Sequence, residues 1–143
     1  MSHHVLVIDD AATVRMYHRK MLSDAGWQVD EAVNGLEALE KVMNRPAGQA
    51  FDLYVVDINM PKMDGYTFVR ELRRLGSTPP APVLMVSTES QMQDATAARD
   101  AGANGYLVKP ARPAELMLTA ALMLGDAAAS TRAAGKLVAG ATA

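Results

Sequence analysis

Acidic, hydroxyl and basic side chains directly follow four of the short apolar runs in this 143-residue sequence. Asp9 and Asp10 follow the first run, Asp57 the third, Ser87 the fourth and Lys109 the fifth. The carboxyl ends of parallel strands meet at one edge of an open α/β sheet, where ligands usually bind. We therefore expect three carboxylates, one hydroxyl and one ammonium group to share a crevice.

This set of groups has a specific chemistry. Carboxylates that lie close together repel each other, and a hard divalent cation with oxygen ligands relieves the repulsion. Magnesium suits such a site, and manganese accepts the same ligands. An aspartate can also attack phosphorus and form an acyl phosphate, a reaction that depends mainly on alignment and charge neutralisation. The residues thus predict magnesium-assisted phosphoryl transfer to an aspartate.

The elements that must position these groups are five short β-branched runs, which alternate with amphipathic stretches. Three runs are almost wholly apolar, as strands are when helices cover both faces of a sheet. Right-handed crossovers then favour an α/β fold, a doubly wound parallel sheet of order 2-1-3-4-5 in a flavodoxin-like three-layer sandwich. The predicted strands are His4–Ile8, Gln28–Ala32, Asp52–Val56, Pro82–Val86 and Gly105–Val108.

Five helices are predicted from capping residues and apolar spacing. Asn34 and Asp64 are expected N-caps, Pro113 fits a first turn, and Gly102 and Gly125 mark helix ends. The residue His18 is expected at the surface or the flank of the first helix, and not as a ligand. The predicted buried stripes are Val14, Tyr17, Met21 and Ala25 in the first helix; Leu36, Leu39 and Met43 in the second; Phe68, Leu72 and Leu75 in the third; and Met92, Ala95 and Ala98 in the fourth.

The composition predicts one soluble, cytoplasmic domain. Half of the residues are hydrophobic and the formal net charge is −2, without the basic patch of a nucleic-acid binder. Cysteine is absent, which excludes disulfides and thiolate metal sites. The first apolar run is too short to anchor the chain in a membrane. We assign residues 1–125 to the domain, and residues 126–143, rich in Ala and Gly, to a flexible tail or frayed helix.

Four motifs in register resemble those of two-component response regulator receiver domains, especially the CheY-like chemotaxis regulators. They are VIDD at residues 7–10, VDINMPKMDG at 56–65, VLMVS at 83–87 and GANGYLVKP at 102–110. The resemblance extends over residues 4–125. It implies a phosphorylation-activated switch of bacterial two-component signalling, which catalyses its own phosphorylation and dephosphorylation and turns over no external substrate.

The resemblance also implies roles for the acidic residues and the lysine. Asp57 is then the phosphoacceptor. Asp10, Asp57 and the backbone carbonyl of Asn59 bind magnesium, and Asp9 assists them through water. Lys109 pairs with the phosphoryl group.

Further implied roles concern the switch and its lifetime. Ser87 is the switch hydroxyl, and Tyr106 is the aromatic side chain that turns inward when the hydroxyl moves. Asn59 and Glu89 tune hydrolysis, and this pair is like that of the chemotaxis regulators, so we expect a short-lived phosphoryl state. The peptide bond before Pro110 is often cis in the family.

The implied partners are proteins. The phosphoryl donor is a sensor histidine kinase or a histidine phosphotransfer protein. No output domain follows in the sequence, so we expect output through a target protein that binds around the fourth helix, the fifth strand and the fifth helix. Residues 115–124 are apolar on nearly every side, unlike the more charged helix of motor-binding regulators. Exposed apolar area of this kind indicates a partner surface or a homodimer.

Two alternative functions stay open. A receiver can serve mainly as an interaction or dimerisation scaffold, although degenerate receivers usually lose the acids or the lysine, which this chain keeps. An aspartate-nucleophile phosphatase of the haloacid-dehalogenase type also uses a strand-end Asp, magnesium and a Lys. Such an enzyme needs a second Asp two residues later as general acid, where this chain has Asn59, and its nucleophile usually follows the first strand.

Overall fold

Strands and helices alternate through the computed structural model, which describes residues 3–76, 80–89 and 91–142, the side chains of 140–142 excepted. Each strand is followed by a helix, and a sixth helix ends the chain. The elements are β1 His4–Ile8, α1 Ala12–Asp24, β2 Gln28–Ala32, α2 Gly35–Met43, β3 Leu53–Val56, α3 Gly65–Arg74, β4 Val83–Ser87, α4 Met92–Ala101, β5 Gly105–Val108, α5 Pro113–Leu124 and α6 Ala127–Thr142.

All five strands run parallel in the order β2-β1-β3-β4-β5, which confirms the predicted fold class. The observed strand bounds match the prediction for β1, β2 and β5. β3 begins one residue later than predicted, and β4 is shifted by one residue toward Ser87. Asp52 and Pro82, the residues just before β3 and β4, still make one backbone hydrogen bond each to a neighbouring strand. Asp52 N donates to His4 O of β1, and Pro82 O accepts from Tyr54 N of β3.

Side chains of the sheet alternate between two buried layers. Leu6, Ile8 and Val56 pack on the side of α2, α3 and α4, whereas Val5 and Val7 pack on the side of α1 and α5. Every residue of β3 and β4 is buried. A sheet covered on both faces explains the continuous apolar runs in the sequence, and it fixes where each run ends.

The helix faces differ from the predicted stripes in part. Phe68 and Leu72 are buried in α3, as predicted. Of the stripe predicted for α1, Met21 and Ala25 pack against the core and Val14 is half-buried, but Tyr17 is 46% exposed. The buried residues of α1 are His18 and Leu22, so the surface placement of His18 is wrong. A histidine is polar and adds nothing to an apolar pattern, so the sequence does not reveal that His18 is buried. Other predicted stripe residues that are exposed are Leu36, Met43, Leu75 and Met92.

The C-terminal segment forms helix α6, which packs along α5. Ala129 and Ala133 are buried, and Ala133 lines a groove together with Met21 of α1 and Met117 of α5. The sequence predicts a flexible tail or frayed helix here, because the segment has little apolar bulk. Alanine has the highest helix propensity, and its small side chain lets two helices approach closely. The division of the chain at residue 125 stays a prediction.

Asp126 joins α6 to the domain. Its Oδ1 accepts a hydrogen bond from Ala129 N at 3.0 Å, which caps the helix, and its Oδ2 accepts from Trp27 Nε1 at 2.9 Å. Gly125 ends α5 as predicted and has a φ of 72°, the left-handed region that favours glycine. Within the described residues, no helix is both long and apolar enough to cross a membrane.

Replacing Asp126 should loosen α6. We expect Asp126→Ala to lose helical signal in circular dichroism, because the side-chain cap at the start of α6 is removed. The fluorescence of Trp27, the single tryptophan, should change as well. Asp126→Asn separates the cap from the contact with Trp27. Its single side-chain oxygen can still accept from Ala129 N, but it cannot keep the hydrogen bonds from Ala129 and Trp27 together. An Asp126→Ala protein with unchanged helical signal and unchanged fluorescence would contradict this account.

Candidate functional site

Backbone hydrogen bonds extend the strand pairing one residue past the strands and hold the site in place. Asp9 N donates to the last carbonyl of β2 at 3.1 Å, and Asp57 N donates to the last carbonyl of β1 at 2.9 Å. Lys109 N donates to the last carbonyl of β4 at 2.7 Å. Each of these residues is therefore fixed by the neighbouring strand, and their side chains leave the same edge of the sheet.

Three acidic residues and one lysine meet at this edge. One carboxylate oxygen from each of Asp9, Asp10 and Asp57 lies within 4.8 Å of the other two. Lys109 Nζ lies 2.6 Å from Asp9 Oδ2 and 3.3 Å from Asp57 Oδ1. Asp9 and Asp57 are buried, with 2% and 8% of their surface exposed, and Asp10 is exposed. The structure thus brings together the acidic residues and the lysine that the sequence singles out.

The charges of the site do not balance. Three carboxylates and one ammonium group leave an excess of two negative charges (three minus one). Burial raises the pKa of the Asp57 carboxyl, the charge of Asp9 raises it further, and Lys109 opposes both effects. A divalent cation would neutralise the excess, and carboxylate oxygens with room for water are the ligands that magnesium prefers. The donor set therefore fits magnesium.

Glu89 connects the remaining residues that the sequence singles out. Ser87 is fully buried, and its Oγ accepts from Glu89 N at 3.3 Å. Tyr106 Oη donates to Glu89 O at 2.7 Å, and Asn59 Nδ2 donates to Glu89 Oε1 at 3.2 Å. The sequence suggests only a tuning role for the Glu89 side chain. Its backbone contacts depend on how the loop after β4 turns, and no sequence motif reports this.

Two residues of α1 near the site escape sequence reasoning. Arg15 Nη1 donates to Asp9 O at 2.8 Å. Buried His18 has a lowered pKa because of burial and the nearby charge of Lys109, while Asp9 opposes the shift, so its imidazole is neutral at pH 7. Arg15 follows Asp9 by six residues, a separation that spans the turn into α1 and allows the arginine to reach back to the Asp9 carbonyl. This spacing is the feature of the sequence from which the contact could have been predicted.

The N-terminus of α3 presses against the peptide that carries Asp57. Gly65 N donates to Ile58 O at 2.8 Å. A Cβ at Gly65 would collide with the carbonyl oxygen of Asp57 and lie 2.8 Å from Met85 Cε. Only glycine fits this close approach. The peptide bond between Lys109 of the site and Pro110 is cis.

A family model described as the response regulator receiver domain matches residues 5–121. The chain belongs to this family. It is accordingly a receiver domain of two-component systems, whose members act as signalling switches. The matched region ends within α5, so α6 lies C-terminal to it.

Relatives and solved structures agree with this assignment. The receiver is 40% identical to the sensor histidine kinase CheAY of Helicobacter pylori over 106 residues. The aligned region covers 74% of this chain and 13% of that protein. It is 38% identical to the response regulator MprA of Mycobacterium ulcerans over 118 residues, 82% of this chain and 48% of that protein. The chain thus spans about half or less of the length of these curated relatives.

The fold is similar to that of CheY-like receivers. The chemotaxis protein CheY4 of Vibrio cholerae superposes with a TM-score of 0.79 at 35% identity, covering 87% of this chain and all of that one. A CheY-like receiver of Methanospirillum hungatei superposes with a TM-score of 0.78 at 25% identity, covering 88% and 96%. The resemblance read from the sequence is therefore confirmed at the level of family and fold.

The close approach at Gly65 predicts a strong effect of a single methyl group. Gly65→Ala should lower the free energy of unfolding by about 1–3 kcal/mol, because the Asp57 peptide or α3 must move. Gly135→Ala is the matched control: nothing lies near its Cβ, and alanine should stabilise α6 by up to about 1 kcal/mol. Urea unfolding measures both. Equal stability of Gly65→Ala and the parent protein would show that the approach is not tight.

Proposed function

We propose that this receiver is a phosphorylation-activated switch in which Asp57 accepts a phosphoryl group from a histidine kinase or a histidine phosphotransfer protein. The placement of Asp57 carries the proposal: its carboxylate lies 3.3 Å from Lys109 Nζ and beside the carboxylates of Asp9 and Asp10. Magnesium, or manganese in its place, would be held by the three carboxylates and by the backbone carbonyl of Asn59. Such kinases draw on cytoplasmic ATP, so we place the receiver in the cytoplasm.

The transfer itself is a displacement at phosphorus. A carboxylate oxygen of Asp57 forms the new O–P bond while the N–P bond of the donor phosphohistidine breaks, and the electron pair of that bond returns to the imidazole nitrogen. The other ring nitrogen of the donor keeps its proton, so the donor histidine leaves as a neutral imidazole. Bound magnesium supplies charge neutralisation for the phosphoryl oxygens. Lys109 supplies a second positive charge, and the buried walls of the site keep these charges effective. Hydrolysis of the acyl phosphate later regenerates the carboxylate.

Ser87 and Tyr106 would pass the change to the surface. In the unphosphorylated protein, Ser87 Oγ accepts from Glu89 N, and Tyr106 donates to the carbonyl of the same residue. A phosphoryl group on Asp57 offers the Ser87 hydroxyl a new, charged acceptor. If the hydroxyl moves to it, the Glu89 amide loses its partner, and the Tyr106 contact changes with it. The Glu89 backbone is therefore the link from the site to the loop before α4.

The output surface would be a protein-binding face made by α4, β5 and α5. Met92, Val108 and Leu122 are the large apolar side chains of these elements that are exposed, by 86%, 43% and 64%. α6 narrows the surface predicted from the sequence, because it covers the flank of α5 that faces α1. We propose a protein target on the uncovered face, and a second copy of the chain is the other candidate occupant.

The phosphatase alternative is less well supported. It requires a general acid two residues after the nucleophile, and Asn59 carries no acidic proton there. Its amide instead donates to the side chain of Glu89 at 3.2 Å. The scaffold alternative requires no phosphoryl transfer, so a direct assay of phosphorylation decides between it and the switch.

Incubation with acetyl phosphate and magnesium should add one phosphoryl group to the parent protein, measured by intact mass. Asp57→Ala should remain unmodified because the nucleophile is gone. Asp24→Ala is the matched control for loss of an exposed carboxylate outside the site, and it should be modified like the parent. No adduct on the parent would favour the scaffold, and an adduct on Asp57→Ala would move the acceptor elsewhere.

The phosphoryl group should be lost quickly after the donor is removed. Asn59 and Glu89 contact each other beside the acceptor, and we attribute rapid hydrolysis to this pair. A time course of intact mass after rapid desalting measures the decay, and Glu89→Ala should change its rate. Persistence of the adduct for hours on the parent protein would contradict the prediction.

A further inference from the structure

We infer that Arg15 is a positioning residue for the acidic pair Asp9 and Asp10, and that Glu31 holds Arg15 in the required orientation. The inference rests on the proposed magnesium site, and it concerns two residues that would touch neither the metal nor the phosphoryl group. It assigns part of the metal affinity of the receiver to a contact between α1 and β2.

Every polar group of Asp9 has a partner, and Arg15 supplies one of them. The amide of Asp9 donates to the last carbonyl of β2, and Oδ1 accepts from Ala11 N at 2.9 Å. Oδ2 accepts from Lys109 Nζ at 2.6 Å. The carbonyl oxygen accepts from Arg15 Nη1 at 2.8 Å. Arg15 therefore completes a set of four contacts that fixes Asp9 in one orientation.

The carbonyl contact matters most for Asp10. The carbonyl of Asp9 and the amide of Asp10 belong to one planar peptide, so the bond to Arg15 also sets the direction in which the chain enters Asp10. The Asp10 side chain is exposed and has no hydrogen bond or ion pair with any described residue. Its carboxylate is thus aimed by the backbone, and Arg15 is the side chain that holds this backbone.

Glu31 orients the arginine from the edge strand. Its Oε1 accepts from Arg15 Nε at 3.1 Å, and its Oε2 accepts from Arg19 Nη1 at 2.6 Å. Hydrogen bonds from Arg19 and Arg15 lower the pKa of Glu31, so its carboxylate stays ionised at neutral pH. The Arg15 side chain is 15% exposed and that of Arg19 is 54% exposed. Arg19 shares Glu31 but has no contact with the acidic pair, which makes it a matched control.

The positive charge of Arg15 and its positioning of Asp9 should have opposite effects on magnesium affinity. Removing Arg15 takes a positive charge away from the acidic site, which by itself would strengthen the binding of a cation. Loss of the contact with Asp9 O would weaken magnesium binding, because residues that hydrogen-bond to metal ligands and orient them commonly contribute tenfold or more to affinity. The sign of the change therefore separates a positioning role from a purely electrostatic one.

Calorimetric titration of the full chain with magnesium chloride tests the inference. We expect Arg15→Ala to bind magnesium about tenfold more weakly than the parent. Arg15→Lys should also be weaker, because one ammonium group cannot keep both the Asp9 and Glu31 contacts. The magnesium affinity of Glu31→Gln should lie between that of the two Arg15 variants and that of the parent. Arg19→Ala should bind magnesium like the parent. Thermal unfolding of each variant measures general destabilisation separately. If Arg15→Ala does not fold, Arg15→Lys and Glu31→Gln still test the inference.

Several results would overturn the inference. Equal or tighter binding by Arg15→Ala would show that charge outweighs positioning, and parent-like binding by Arg15→Lys would show that the paired guanidinium contacts with Asp9 and Glu31 are not needed. Weakening by Arg19→Ala to the same extent would reveal a general structural effect. If the parent itself binds no magnesium, the proposed metal site fails and the inference fails with it. Magnesium binding by the parent with no loss in Arg15→Ala would refute the inference alone.

Discussion

Repulsion among carboxylates at one edge of the sheet is the constraint on which the site depends. Asp9 and Asp57 are buried within contact distance of a single ammonium group, and Asp10 lies beside them. Buried charges are costly unless each is paired and hydrogen-bonded. The structure meets this cost with strand-end hydrogen bonds, with Lys109 and with the Arg15 contact, and it leaves a charge excess that suits a divalent cation.

The surroundings of Asp57 are closely fitted. Gly65 brings the first turn of α3 against the Asp57 peptide, and Ser87 lies fully buried on the adjacent strand. A new charge on Asp57 would therefore fall among groups that have little room to adjust. Glu89 lies between this buried region and the surface. Its backbone amide donates to Ser87, and its backbone carbonyl accepts from Tyr106. In the proposed switch, a change of charge at Asp57 would reach the proposed output face through this residue.

The sequence predicts the sheet and the strand-end residues because buried parallel strands leave unambiguous apolar runs. Asp9, Asp57 and Lys109 could thus be placed at one edge by counting from the ends of those runs. The buried face of α1 was predicted in part: Met21 and Ala25 pack against the core, but Tyr17 is exposed and His18 is buried, and a polar histidine adds nothing to an apolar pattern. Helix α6 docks through small alanines that carry little hydrophobic signal. The contacts of Glu89 depend on tertiary geometry and leave no trace in local spacing.

The central claim is that the carboxylate of Asp57, and no other group, carries the phosphoryl signal. Borohydride reduction tests it most directly, because it converts an aspartyl phosphate to homoserine, which tandem mass spectrometry locates in the chain. After treatment with acetyl phosphate and magnesium, we expect homoserine at position 57. Homoserine at Asp9, at Asp10 or at no position of the phosphorylated protein would contradict it.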